Sequence, residues 1–338
     1  MTTHDFSSVN TTISIREKDF LTTEEWQQLL DAKDTASVSL LLQNTPYEMS
    51  VEQLEDPDAI ETVLMTELRR TYRWLFELSP QSEVIELFSS IYTYHNLKVL
   101  MKIRATGRDL SSLLIPIGRF SIEALEHLVN NLESAIVYPT LVEEVRRTWS
   151  EYEAYQLTDA IDVGFDGAYF AHLRMLEERI SDERVAPIVN ALVNFYNVIA
   201  VKRAMELAKG RSFMHTMMTS RGSVEKQILI DYIENNELSN WFEGQDNVYY
   251  GSVFQKATKA MDEGAMTASQ LERLKDDYLH QFLYEKRLES DGPLTLLRYL
   301  VGKETEIRNL RLVLTGRVNG LKREQMTERM GAIYGETI

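Results

Sequence analysis

Two acidic residues, Asp162 and Asp166, stand four positions apart just before Tyr169-Phe170. A carboxylate pair at that spacing can hold a cation or move a proton. Gly164 and Gly167 flank the pair, so the run reads as a loop entering a helix. An Asp in that setting usually caps the helix, accepting bonds from its free N–H groups. Asp276-Asp277 is a second acidic start, but a magnesium-chelating helix face needs another carboxylate three or four residues after the first. Leu279 and His280 occupy those places, so the run reads as a solvated helix face. The acidic runs Glu83/Glu86 and Glu177-Glu178 suit the early turns of helices and need no catalytic account.

Other chemistry is thin. The six histidines are His4, His95, His127, His172, His215 and His280, and none forms an i, i+4 pair. A metal site would have to be assembled from distant segments. There are no cysteines, so disulfides, thiolate metal sites and cysteine nucleophiles are excluded, and a reducing compartment fits. No phosphate-loop, dinucleotide or nucleophile-elbow motif occurs, and Gly316-Arg317-Val318-Asn319-Gly320 lacks phosphate-loop spacing. The reading is of no catalytic residue, no cofactor and no metal. What remains is basic. Lys98, Lys102, Arg104 and Arg108 are spaced so that three can share a helix face, and Arg211 and Arg317 each follow a glycine as Arg108 does. Lys98, Arg104, Arg108, Arg211 and Arg317 form a candidate partner interface. The alternative is a set of solvated charges.

The elements that carry these residues read as helices. Ile60, Leu64, Leu68, Leu75 and Leu78 fall on one face, as do Val84, Phe88, Ile91, Tyr94, Leu97 and Met101. Leu297, Leu300, Ile307, Leu310 and Leu314 repeat the pattern. Thr22-x-x-Glu25, Ser50-x-x-Gln53 and Thr267-x-x-Gln270 read as capping boxes, and Pro57, Pro80 and Pro293 as first helical residues. Only 15 Gly and 7 Pro occur in 338 residues, which suits long helices with few joints. Loops are expected around 44–47, 159–167, 235–250 and 289–293. Asn247 to Phe254 is the nearest approach to a strand. The fold class is all-α.

Charge and hydropathy narrow the partners. With 36 Lys+Arg against 52 Asp+Glu, the net charge is -16. Coating nucleic acid or docking on anionic lipid needs the opposite sign, so neither nucleic-acid binding nor direct lipid insertion is expected. No run of 18 apolar residues occurs, and the first residues do not read as a secretory signal.

A long-range repeat organises the chain. Asn96, Asn197 and Asn309 each stand in a similar helical run. A helix-start signal lies 16 residues before each, at Pro80, Ser181 and Pro293, and a Gly-Arg pair follows at Gly107-Arg108, Gly210-Arg211 and Gly316-Arg317. A new amphipathic run begins after each pair, and a diverged copy opens the chain at Ile15–Trp26. The pattern predicts three pseudo-repeated helical units at residues 1–110, 111–212 and 213–338. Each Gly-Arg pair is expected to end its helix.

Tyr94-His95-Asn96-Leu97-Lys98-Val99-Leu100, with Gly107-Arg108-Asp109-Leu110-Ser111 and Leu113-Leu114-Ile115-Pro116 after it, resembles the C subunits of bacterial and archaeal V-type (A/V-type) ATPases, counterparts of the eukaryotic d subunit. Asp162–Asp166 with Tyr169-Phe170, Lys303–Arg311 and Met326–Tyr334 fit the same pattern in the same order. The resemblance implies a funnel-shaped, all-helical rotor subunit without an active site. It would couple the central shaft subunits of the ATPase head to the membrane proteolipid ring during proton or sodium transport. It would sit in the cytoplasm, peripheral on the membrane through the complex. Two other readings stay open on the residues alone: a soluble helical-repeat scaffold that binds proteins, and an all-α enzyme with a magnesium–carboxylate site.

Overall fold

The computed structural model describes residues 5–243, 263 and 266–336, and no strand occurs among the described residues. Asn247–Phe254, the strand candidate, lies outside them. Along the chain run α1 (Ser7–Arg16), α2 (Thr23–Asp31), α3 (Thr35–Leu42), α4 (Val51–Leu54), α5 (Pro57–Leu78), α6 (Ser82–Thr106), α7 (Ile122–Asn131) and α8 (Pro139–Tyr155). Then follow α9 (Thr158–Ile180), α10 (Ala186–Glu206), α11 (Arg211–Met217), α12 (Lys226–Glu234), α13 (Leu238–Glu243), α14 (Ala268–Glu285), α15 (Leu294–Val318) and α16 (Arg323–Arg329).

Local chemistry explains where these helices begin. Thr22 with Glu25 and Ser50 with Gln53 form capping boxes at α2 and α4. Thr267 and Gln270 exchange the same pair of bonds before α14. Asp56 caps α5, with Pro57 in its first turn. Pro80 and Pro293 stand just outside their helices: α6 starts at Ser82, and Pro293 is the residue before α15. The missing N–H is harmless in all three places.

The chain divides into two compact units. The described residues of the first are 5–80 and 273–336. Its centre is α15 packed on α5. Leu297, Leu300, Ile307, Leu310 and Leu314 of α15 are buried, as are Ile60, Leu64, Leu68 and Leu75 of α5. Each such side chain contributes about 1.5–3 kcal/mol on leaving water.

The second unit holds residues 81–243, 263 and 266–272. Here α6 packs on α9 and α7, and α8 on α9. Tyr94, Leu97, Met101, Leu125, Val142, Val145 and Phe165 form its core. Ile91 shares the α6 stripe in the sequence but is 53% exposed. The helical run Glu183–Glu206, a short 3-10 turn continued by α10, is long and apolar enough to cross a membrane. Its apolar side chains are used for packing: Ile188, Val189, Val193, Phe195, Val198 and Val201 are buried in this unit.

The Gly-Arg pairs do not share one role. Gly107 ends α6 in the left-handed conformation at φ 67°. α10 stops at Glu206, and Gly210 instead precedes α11. α15 runs through Gly316-Arg317 to Val318. Gly316 faces inward there, and a Cβ would come within 3.0 Å of the Met326 sulfur. This glycine makes room for α16, and the turn is taken by Gly320 at φ 71°.

The expected loop at 159–167 is helical, and Asp162 and Asp166 lie inside α9. Gly164 is not a hinge. A Cβ on it would stand 2.7 Å from Thr148 Oγ1, so the residue lets α9 approach α8. The loops near residues 44–47 and 289–293 lie outside helices, with Asn44 at φ 65°.

Candidate docking surface

The three repeat-anchor asparagines do the same thing. Asn96 Nδ2 donates to the Ile115 carbonyl at 2.6 Å, and its Oδ1 accepts the Ile115 N–H at 2.8 Å. Asn197 holds Thr219 in this way at 2.9 and 2.8 Å. Asn309 holds Gly331 at 3.1 and 2.8 Å. All three asparagines are buried. A side-chain amide suits this position because it carries one donor and one acceptor side by side. Each clamp satisfies both backbone groups of a residue that no helix supplies.

In the second unit the correspondence extends along the loop. Gly118 and Gly222 each follow the clamped residue by three positions, and three positions further on Ser121 and Glu225 immediately precede α7 and α12. A Cβ at Gly118 would meet Thr93 Oγ1 at 2.8 Å, and one at Gly222 would meet Asn194 Oδ1 at 2.8 Å. Thr93 and Asn194 each stand three residues before their clamping asparagine, on the same helix face. Sequence reasoning misses the asparagine role, although the recurrence of Asn at the repeat centre is its signal.

Four of the five candidate interface residues have internal partners. Lys98 Nζ lies 2.5 Å from Asp166, and its neighbour Lys102 lies 2.8 Å from Asp162, joining α6 to α9. The carboxylates expected to cap a helix are therefore ion-pair partners. Arg104 stacks on Trp149, with the guanidinium carbon 3.8 Å from the ring centroid, and donates to the Val129 carbonyl. Arg211 pairs with Asp231 and, at 3.0 Å, with Glu234. Arg317 donates to the Ala32 carbonyl at 2.7 Å, at the end of α2. Arg108 differs. It is exposed on the turn after Gly107, and no ion pair to its side chain occurs among the described residues. The loop that carries it is held by Asn96 and by His95 Nε2, 2.8 Å from the Leu113 carbonyl. Leu113 itself is 52% exposed. The result is a fixed loop presenting one arginine and one leucine.

The other chemistry-bearing residues are absorbed by structure. Asp276 pairs with Arg308, and Asp277 lies 3.9 Å from Arg273. His172 is buried beside Glu86, His215 faces Gln227, and His280 Nε2 meets the Glu336 carbonyl at 2.9 Å. Among the described residues no group of three His, Asp or Glu side chains is placed to hold a metal ion.

Residues 9–329 match the family model described as ATP synthase (C/AC39) subunit. The chain belongs to this family. It is 28% identical to the C subunit of the V-type sodium ATPase of Enterococcus hirae, over 98% of this chain and 99% of that protein. It is 24% identical to the C subunit of the A-type ATP synthase of Methanocaldococcus jannaschii, over 95% of this chain and 85% of that one. The corresponding A-type ATP synthase protein of Desulfurococcus sp. is 21% identical, over 97% and 91%.

In this C/AC39 chain, Lys303–Arg311, one of the segments that carries the resemblance, is an internal framework. Lys303 is 1% exposed, with its Nζ 3.1 Å from both Glu306 and the Tyr47 hydroxyl and 4.6 Å from the Phe20 ring centroid. Glu306 also accepts the Leu21 N–H at 2.9 Å. Burial pushes the Glu306 and Glu67 carboxyls above the usual range, against the pull of Lys303. Arg311 grips Glu61 of α5 through two nitrogens, at 2.6 and 3.0 Å. A buried charge with every partner in place fixes one arrangement of these segments.

Proposed function

We propose that this chain is the central-stalk rotor subunit of a V-type ATPase, joining the shaft of the soluble head to the proteolipid ring of the membrane sector. The observation that carries the reading is the end-to-end match to a V-type ATPase component, with nearly the whole of this chain aligned to nearly the whole of the Enterococcus hirae protein. On this reading the chain has no active site. Hydrolysis in the head turns the shaft, the subunit turns with it, and ions cross at the ring. It rides on the membrane as a peripheral part of the complex.

Several features support a mechanical role. A coupler must transmit load without bending, and long helices packed to crystal-like density do so. The clamps at Ile115, Thr219 and Gly331 stiffen the turns where a helical protein is softest. Their recurrence also supports a body of three repeated helical units with cuts near 110 and 212. The loop bearing Arg108 and Leu113 is the docking element we assign first, since Lys98, Arg104, Arg211 and Arg317 are committed within the chain.

The test is purification of the tagged chain from gently solubilised native membranes. Shaft subunits and proteolipid ring should come with it. A chain that emerges alone, from membranes whose ATPase remains assembled, overturns the coupler reading and favours a scaffold.

A further inference from the structure

In the first unit the segment after α16 lies against the segment after α1, and side chains make the join. The Tyr334 ring stacks on the Phe20 ring, with centroids 3.9 Å apart and planes 7° from parallel. The Tyr334 hydroxyl donates to Glu17 Oε1 at 2.5 Å and accepts from Arg298 Nε at 3.1 Å. Arg298 also reaches Glu17 Oε1 at 2.7 Å. The Tyr334 ring lies directly on Gly302 of α15, where any Cβ would overlap it. The Asn309 clamp on Gly331 anchors one end of the segment, and His280 and Thr23 bind Glu336 at the other.

We propose that Gly331–Glu336 is a strap that fastens the Glu17–Leu21 segment onto α15, and that its release frees the N-terminal segment while the α5–α15 core stays folded. The strap has no regular secondary structure, and its Gly335 and Glu336 are exposed. Segments with few backbone bonds and little buried surface are the first to open. The segment it covers leads back into α1, which rests on α15 and holds the Ser290 and Gly292 carbonyls through Asn10. α1 has ten residues and buries only Val9, Asn10 and Ile13, too little to hold a helix of that length in water. Phe20, 7% exposed beneath the strap, also covers the buried Lys303. Lifting Tyr334 therefore gives water a path to the Lys303–Glu306 pair. A cavity of about 210 Å³, lined by Glu17, His280, Tyr284, Arg287, Arg298 and Tyr334, already lies beside the join.

Hydrogen exchange on the full-length chain tests this, and it is independent of the rotor reading because no partner is needed. Two variants lift the strap differently. Tyr334→Ala removes the ring, and Gly302→Ala displaces it while adding a better helix former to α15. Both should raise exchange across residues 7–21 by at least about tenfold. Amides of Leu310 and Leu314 in α15, and of Ile115 and Thr219 in the second unit, should keep wild-type rates. Tyr334→Phe, which keeps the stack and loses the bond to Glu17, should fall between. The proposal is overturned if residues 7–21 exchange at the wild-type rate in both variants. It is equally overturned if α15 opens together with them, since Tyr334 would then be ordinary core.

Discussion

Asn197 holds Thr219 by both of its backbone groups, the N–H at 2.8 Å and the carbonyl at 2.9 Å, in a site closed to water. Asn197→Ala strands a buried donor and a buried acceptor. The expected loss is about 1–3 kcal/mol, larger than that of an exposed hydrogen bond. Asn197→Asp keeps the acceptor for the Thr219 N–H but sets an anion against its carbonyl. It should therefore be destabilised at neutral pH and partly recover on acidification, when the protonated acid can donate. Denaturant unfolding at two pH values checks both. A wild-type midpoint for Asn197→Ala would show that the clamp contributes nothing.

Helix positions are legible in the sequence because their causes are local. Thr22 and Glu25, or Ser50 and Gln53, lie within one turn of each other, and both pairs form the capping boxes their spacing predicts. Asp162 and Asp166 are not legible in this way, because their partners, Lys102 and Lys98, are 60 or more residues away. The two glycines beside them look like a loop, while the reason for Gly164 is a threonine on another helix. The partners of Arg104, Arg211 and Arg317 also lie on other elements, 20 or more residues away, so clustering in sequence overstates how many cations are available for docking. The asparagines are legible as a recurrence. Their role is not, since the clamped residues lie 19, 22 and 22 positions further on, beyond the end of the asparagine's own helix.

Gly164 and Gly167 both sit in α9, and they should respond in opposite ways. A Cβ at Gly164 would press on Thr148, so Gly164→Ala should lose about 1–3 kcal/mol through overpacking. Nothing lies within 4 Å of a Cβ at Gly167, and Gly167→Ala should gain about 0.5–1 kcal/mol from helix propensity. Thermal unfolding of the pair separates the close approach from the backbone effect. Stabilisation by both would mean that α8 and α9 are free to move apart.

His280 is held below its ordinary value of 6.5, chiefly by burial, while its bond to the Glu336 carbonyl pulls the other way. The folded chain therefore binds this proton more weakly than the unfolded chain does. The stability that neutral His280 contributes is complete above 6.5 and is lost as the pH falls through the depressed value. His280→Gln retains a donor for the Glu336 carbonyl and does not titrate. Its unfolding free energy should fall less steeply than that of the wild type as the pH drops below 6.5. Parallel curves in urea titrations across that range would exclude His280 as a source of acid sensitivity.

Charge reversal at Arg108 separates docking from folding. Its side chain is exposed on a loop fixed by Asn96 and His95, so Arg108→Glu should leave stability within about 0.5 kcal/mol of wild type. If the loop meets a partner of the rotary complex, the same change should weaken reassembly with chain-depleted complex by roughly tenfold, mostly at low salt. Arg317→Glu gives the contrast. That arginine satisfies carbonyls at the end of α2, and reversing it should cost about 1–3 kcal/mol of stability. Reassembly titrations run beside unfolding curves distinguish the two. Unchanged reassembly for Arg108→Glu would move the docking surface away from this loop. A weakened complex with an unchanged unfolding curve would locate it there.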